Sequence, residues 1–357
     1  MPAGRGFLSK RQPGWADGYM NWNLRSKDCS SILCAMKCVS LLAFILLLRS
    51  GAVAAEIRIG IIGCDTSHVN AFTETLNNPE AKGHVPGGKV VGAYRGGSMD
   101  IPESSNRLDS ITKNIGEKYG VKLYDSIEEL CKNVDAVLLE SLDGRPKLEQ
   151  IKPVLAARKP VFVDKPMAAS LSDVIEMFRL AKKAKVPIFS SSSLRFAKNT
   201  QLVHNGSIGK VMYAETYGPC ELEPHHPDLF WYGIHGVEAL YTVMGTGCKT
   251  VQRTNTPAGK IAVIGDWGGG RKGIFAEGTF HGFARGEKGE AAVGSFDGYV
   301  PLVDEIMKFF QTKVPPVKPE ETIEIFAFME AADLSKQRSG APVKISEVMD
   351  AAKASAR

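Results

Sequence analysis

The sequence lacks several features that mark whole classes of protein. None of its seven cysteines is spaced as CxxC, which excludes a ribbon-type zinc site and a thioredoxin-type redox pair. No apolar run reaches the ~18 residues that a membrane-spanning helix needs. There is no internal repeat, no low-complexity tract and no block of charge of one sign. Seven of the 44 Lys/Arg and two of the 39 Asp/Glu lie in the first 55 residues, leaving 37 of each beyond Ala55. A formally neutral body carries no phosphate-backbone footprint, so nucleic acid is not an expected partner.

The basic excess belongs to the N-terminus. Cys38 to Leu48 (CVSLLAFILLL) has the length of a signal-peptide core and is followed by Arg49-Ser50-Gly51 and the small residues Ala52-Val53-Ala54-Ala55. Met36-Lys37 reads as the natural start of that leader, with residues 1–35 an extension ahead of it. The expectation is an exported protein, periplasmic or extracellular. An uncleaved anchor is the alternative. Cys29, Cys34 and Cys38 leave with the leader; Cys64, Cys131, Cys220 and Cys248 remain, and their pairing is not legible.

From residue 56 the chain alternates. Strand patterns at 57–62, 89–94, 136–140, 161–164 and 186–190 are separated by helical patterns at 69–76, 110–119, 127–132, 147–157 and 171–183. This rhythm predicts βαβ units and a doubly wound parallel sheet over 56–192, a Rossmann nucleotide-binding domain. Beyond Ser193 the strand patterns at 211–217, 250–254, 260–266, 273–281 and 290–296 follow one another, interrupted by a helix near 236–244. They predict a second α+β domain over 193–357 with an open, mainly antiparallel sheet. Closing helices are expected at 301–312, 320–338 and 346–354.

The first strand ends in Gly63-Cys64-Asp65-Thr66-Ser67-His68, a strand–turn–helix junction of the kind that binds phosphate through free backbone N–H groups. Only the first glycine of the GxGxxG dinucleotide fingerprint survives. Asp65 would put a carboxylate where a pyrophosphate should lie, or it merely caps the helix. After the second strand, Arg95 and Ser98 suit a 2′-phosphate, favouring NADP over NAD; a plain surface turn explains them equally.

Val161 to Ala168 (VFVDKPMA) sets Lys165 at the C-terminal end of a buried parallel strand, where open α/β sheets bind ligands. An ammonium there is costly without a partner or a task. This Asp-Lys-Pro segment resembles the glucose–fructose oxidoreductase / inositol dehydrogenase family (Gfo/Idh/MocA). The resemblance extends to Ser193-Leu194-Arg195-Phe196, Ile208-Gly209-Lys210-Val211 and the helices of 302–345. It implies an NAD(P)-dependent oxidoreductase of a sugar, cyclitol or related polyol, assembled as a homo-oligomer through the second sheet. It gives Lys165 and His235 the proton chemistry, an imidazole suiting that task near neutrality. Trp231 stands where the family carries an aspartate. Arg195, His226, Trp231 and Tyr232 become substrate-binding candidates. Gly63, Asp65, Thr66, Ser67, His68, Arg95, Ser98, Glu140 and Asp164 become cofactor-binding candidates, Glu140 replacing a Thr-Pro loop. His225, His226, Asp228 and His235 have no recognised ligand spacing, so no metal is expected. The alternative to a dehydrogenase is an exported, redox-silent relative that binds carbohydrate and no dinucleotide.

Overall fold

The computed structural model describes residues 55–355; the expected leader lies outside the described residues. The first sheet collects β1 (Ile57–Ile62), β2 (Gly88–Tyr94), β3 (Lys122–Tyr124), β4 (Ala136–Leu139), β5 (Val161–Val163) and β6 (Ile188–Ser190) in the order β3-β2-β1-β4-β5-β6, all parallel. That order reverses between β1 and β4, which opens a crevice beyond their C-terminal ends. Helices α1 (Ser67–Asn77), α2 (Pro102–Tyr119), α3 (Ile127–Asn133), α4 (Lys147–Ala156) and α5 (Leu171–Ala184) make the crossovers. Local chemistry explains their starts. Thr66, Ser126 and Ser170 cap α1, α3 and α5 through their hydroxyls, and α2 opens on proline and closes on left-handed Gly120. Strand β3, between α2 and α3, is missing from the sequence reading because it has three residues, none of them buried.

The second sheet runs β12-β11-β7-β10-β9-β8-β13. Its members are β7 (Val211–Gly218), β8 (Thr250–Asn255), β9 (Ile261–Gly268), β10 (Arg271–Glu277), β11 (His281–Gly286), β12 (Gly289–Ala292) and β13 (Val343–Lys344). Every pairing is antiparallel except β7 with β10. The single strand expected at 273–281 is in fact the end of β10, a turn and the start of β11. Helix α6 (Lys198–His204) enters this half, and α7 (Ile234–Met244) lies across the sheet, buried along its whole length. The closing helices are α8 (Val300–Thr312), α9 (Pro319–Gln337) and α10 (Ile345–Ser355). Helix α8 returns to the first sheet: Leu302, Ile306, Met307 and Phe310 share a core with Ile59, Ile61, Val90 and Phe162. This return brings Tyr299, just before α8, against His68 and Phe72 of α1. No described helix is long and apolar enough to cross a membrane.

Candidate active site

A cavity of about 220 Å³ opens beyond the C-terminal ends of the parallel strands. Thr66, Ser67 and His68 form one wall at the start of α1, and Glu103 and Arg107 of α2 form another. Lys165 follows β5, Trp231, Tyr232 and His235 come from the approach to α7, and Phe280, Phe296 and Tyr299 close the far side. Of the residues singled out in sequence, Lys165, His235, Trp231, Tyr232, Thr66, Ser67 and His68 meet here. The aromatic trio Phe280, Phe296 and Tyr299 and the Glu103–Arg107 ion pair (2.8 Å) were not foreseen. Their only sequence signal is apolar or charged character in turns and at a helix start, which is common on surfaces.

Lys165 is 7% exposed and its Nζ lies 5.2 Å from the centre of the Tyr232 ring. Burial pushes its pKa below the usual lysine value, against the pull of Asp164. The His235 ring meets Tyr232 edge-on at 5.5 Å and Phe280 at 5.7 Å. Its Nδ1 is 2.7 Å from Ser192 Oγ, which also accepts the Leu194 N–H. Burial, reinforced by the nearby Lys165 charge, holds His235 well below the ordinary imidazole pKa, so the ring is neutral at pH 7. Trp231 stands four residues before His235, and the hydrogen-bond partner of the ring is the Ser192 hydroxyl.

Arg195 is not in the cavity. Its Nε donates to Glu238 at 2.7 Å, and its Nη2 lies 2.7 Å from Glu321 without the angle of a hydrogen bond. Glu238 also accepts from Ser191 Oγ (2.6 Å) and the Ser192 N–H (2.7 Å). Arg195 therefore braces the segment that holds His235. His226 likewise does not line the cavity. Its Nε2 accepts the Gly144 N–H at 3.0 Å, its Nδ1 faces Glu223 at 2.7 Å, and its ring packs against Trp231 at 4.9 Å. His225, Asp228 and His235 each have separate partners, in Glu223, in Arg253 and Lys336, and in Ser192.

Asp65 corrects the concern about its charge. It is fully buried and turned into the protein, accepting from Ser104 Oγ at 2.6 Å and from the Leu142 N–H at 3.1 Å. Its carboxylate ties the turn after β1 to α2 and to the loop after β4, and does not line the cavity. Gly63 sits at φ +89°, and a Cβ there would lie 2.5 Å from the Ser141 backbone, so the position takes only glycine without strain. Its N–H and that of Cys64 are taken by Tyr94 and Arg95 carbonyls. Arg95 pairs with Asp109 on α2, away from the cavity. Ser98 donates to Asp143 at 2.6 Å, and Arg145 reaches both Asp143 and Asp100. These contacts latch the loop after β2 to the loop after β4. Glu140 and Asp164 are buried below the cavity, not in its wall. The four described cysteines are free and buried.

Residues 57–192 match the model of an oxidoreductase family described as having an NAD-binding Rossmann fold. A 105-residue stretch, 28% of this chain, is 38% identical to the myo-inositol 2-dehydrogenase of Thermotoga maritima, and spans 31% of that relative's length. Among solved structures, a probable dehydrogenase from T. maritima superposes with a TM-score of 0.65 at 21% identity, covering 82% of this chain and all of the other. A scyllo-inositol dehydrogenase from Lactobacillus casei, solved with bound NAD(H) and scyllo-inositol, superposes with a TM-score of 0.63 at 14% identity, over 82% and 99% of the two chains. At these identities the structural likeness shows the fold.

Proposed function

We propose that the chain is a member of the Gfo/Idh/MocA oxidoreductase family, whose model residues 57–192 match, and that it is an NAD(P)-dependent oxidoreductase of a cyclitol, sugar or related polyol. The observation that carries this reading is that Lys165 and a neutral His235 line one cavity, on a common aromatic wall formed by Tyr232. The residues fit the nicotinamide and phosphate end of a dinucleotide. The start of α1 faces the cavity through Thr66, Ser67 and His68, and Asp65 turns its charge away from them. Thr66, Ser67 and His68 would hold that end. When bound, the nicotinamide supplies the hydride acceptor or donor.

The chain's own residues do the rest. Lys165, desolvated, is placed to hydrogen-bond the reacting hydroxyl and favour its alkoxide character. His235 takes the hydroxyl proton at the ring nitrogen left free by Ser192, and returns it in the reverse direction. Trp231 and Tyr232 offer faces to a sugar or cyclitol ring, and the Glu103–Arg107 pair offers polar partners for its other hydroxyls. Assembly through the second sheet is part of the proposal, as Tyr213, Tyr217 and Phe283 stand half-buried on that sheet. Export is another part, resting on residues 38–55.

One observation favours a second reading, a redox-silent carbohydrate binder. The Ser98–Asp143 and Arg145–Asp100 contacts cross the crevice between β1 and β4 that would take the adenosine half. Titrating the purified protein with NAD(H) and NADP(H), by thermal shift and nicotinamide fluorescence, separates the two. At a hundred times its dissociation constant a nucleotide stabilises the fold by about 2.7 kcal/mol. A shift with one nucleotide, followed by turnover of a cyclitol, supports the dehydrogenase. No shift with either nucleotide, alongside stabilisation by a cyclitol or sugar, gives the second reading.

A further inference from the structure

Below the cavity floor, three side chains from three neighbouring segments converge: His68 at the start of α1, Glu140 after β4 and Asp164 after β5. One donor atom from each lies within 4.8 Å of the others, and all three residues are buried. His68 Nδ1 is 2.6 Å from Asp164 Oδ2, and Asp164 Oδ1 accepts the Lys165 N–H at 2.8 Å. Glu140 is the anomaly. It is wholly buried, neither carboxylate oxygen has a hydrogen-bond donor among the described residues, no ion pair among them reaches it, and its close side-chain neighbour is a second carboxyl, that of Asp164. The nearby buried ammonium, Lys147 Nζ, is spent on the carbonyls of Asp164 (2.6 Å) and Pro166 (2.8 Å). Lys165 Nζ lies out against Tyr232.

Burying a carboxylate without a partner costs several kcal/mol, so such a group takes up a proton or meets a cation. We infer that His68, Glu140 and Asp164 form a binding site for one divalent transition-metal ion, with Glu140 as the ligand that has no other partner. An imidazole nitrogen with two carboxylate oxygens and no thiolate suits zinc, manganese or ferrous iron. Bonds near 2.1 Å to one ion place neighbouring donor atoms about 3.0–3.5 Å apart, so the His68–Asp164 contact opens by roughly 0.5–1 Å as the ion replaces the shared proton. Three protein ligands leave coordination positions open, as in catalytic rather than structural sites. His68 is also a wall of the cavity, so the ion sits next to the ligand space. These three side chains make the site whether or not the protein is a dehydrogenase.

The test uses the full chain, stripped with chelator, dialysed and titrated separately with Zn²⁺, Mn²⁺ and Co²⁺ in the absence of nucleotide. Bound metal is counted by mass spectrometry, and the cobalt form is followed by its visible absorption. The expected result is about one equivalent per chain, with affinity reduced tenfold or more in both Glu140→Gln and His68→Gln, outer-shell changes alone accounting for losses of that order. His225→Ala, exposed and remote, keeps wild-type binding. Wild-type protein that holds none of the three ions overturns the inference without recourse to any variant. So does metal binding that survives Glu140→Gln. A metal-free Glu140→Gln protein that is more stable than metal-free wild type, in a wild type that binds no metal, identifies a carboxyl pair sharing a proton instead.

Discussion

Arg195 tests whether the segment before α6 is held to α7 by one buried ionic knot. Its guanidinium and the Glu238 carboxylate are 4–5% exposed, and Glu238 gathers Ser191 Oγ, the Ser192 N–H and Arg195 Nε on its two oxygens. Arg195→Ala removes the only cation paired with Glu238 among the described residues and leaves two neutral donors. Breaking a buried pair by removing one partner costs about 3–5 kcal/mol. With about 2–4 °C of melting temperature per kcal/mol in domains of 150–250 residues, the fall is roughly 6–20 °C. Burial already raises the Glu238 pKa, with Arg195 opposing. In the variant that opposition is gone and the folded-state pKa climbs further. A carboxyl whose folded pKa is raised is stable when protonated and loses stability as pH rises, so the variant's deficit grows from pH 5 to pH 8. Circular-dichroism melts at both values measure it. The double variant Arg195→Met/Glu238→Gln, with no charge left to strand, recovers most of the loss. An Arg195→Ala deficit below about 1 kcal/mol, or one independent of pH, refutes the account.

Lys165→Met removes the buried ammonium while keeping its stem, and lowers kcat/KM by about 10²–10⁴-fold with little change in melting temperature. Nicotinamide absorbance over a cyclitol and sugar panel reads the activity, and retention of near wild-type turnover removes Lys165 from the chemistry. Asp333 is pushed up to about 6, by burial and then by Asp228 beside it. Stability is therefore lost as pH rises from about 4 to 6, and Asp333→Asn flattens that slope in urea midpoints measured across the range. Gly63→Ala forces a side chain into φ +89°, with its Cβ 2.5 Å from the Ser141 backbone. Strain at such a φ alone costs about 1–3 kcal/mol, and a urea midpoint equal to wild type contradicts the packing described.

Local pattern decided a large part of this protein. The alternation of β-branched runs with capped helices carries the parallel sheet, because each element's period and its caps are properties of a few consecutive residues. The buried ammonium of Lys165, stranded at the end of β5, marked the crevice for the same reason. Pairing partners are another matter. Strand β7 runs parallel to β10 although the intervening chain suggested an antiparallel sheet, and β3 forms without a buried residue because β2 offers it an edge. The direction of a polar side chain was equally beyond sequence. Asp65 turns inward because Ser104 and the Leu142 N–H stand within reach, 39 and 77 residues away. Arg195 leaves the cavity because Glu238 lies 43 residues further on and is buried with it. The convergence of Glu140 with His68 and Asp164 arises only when β1, β4 and β5 lie side by side. Backbone preference is set by neighbours along the chain, whereas the partner of a buried charge is set by which distant segments the packed sheet brings within a few ångströms.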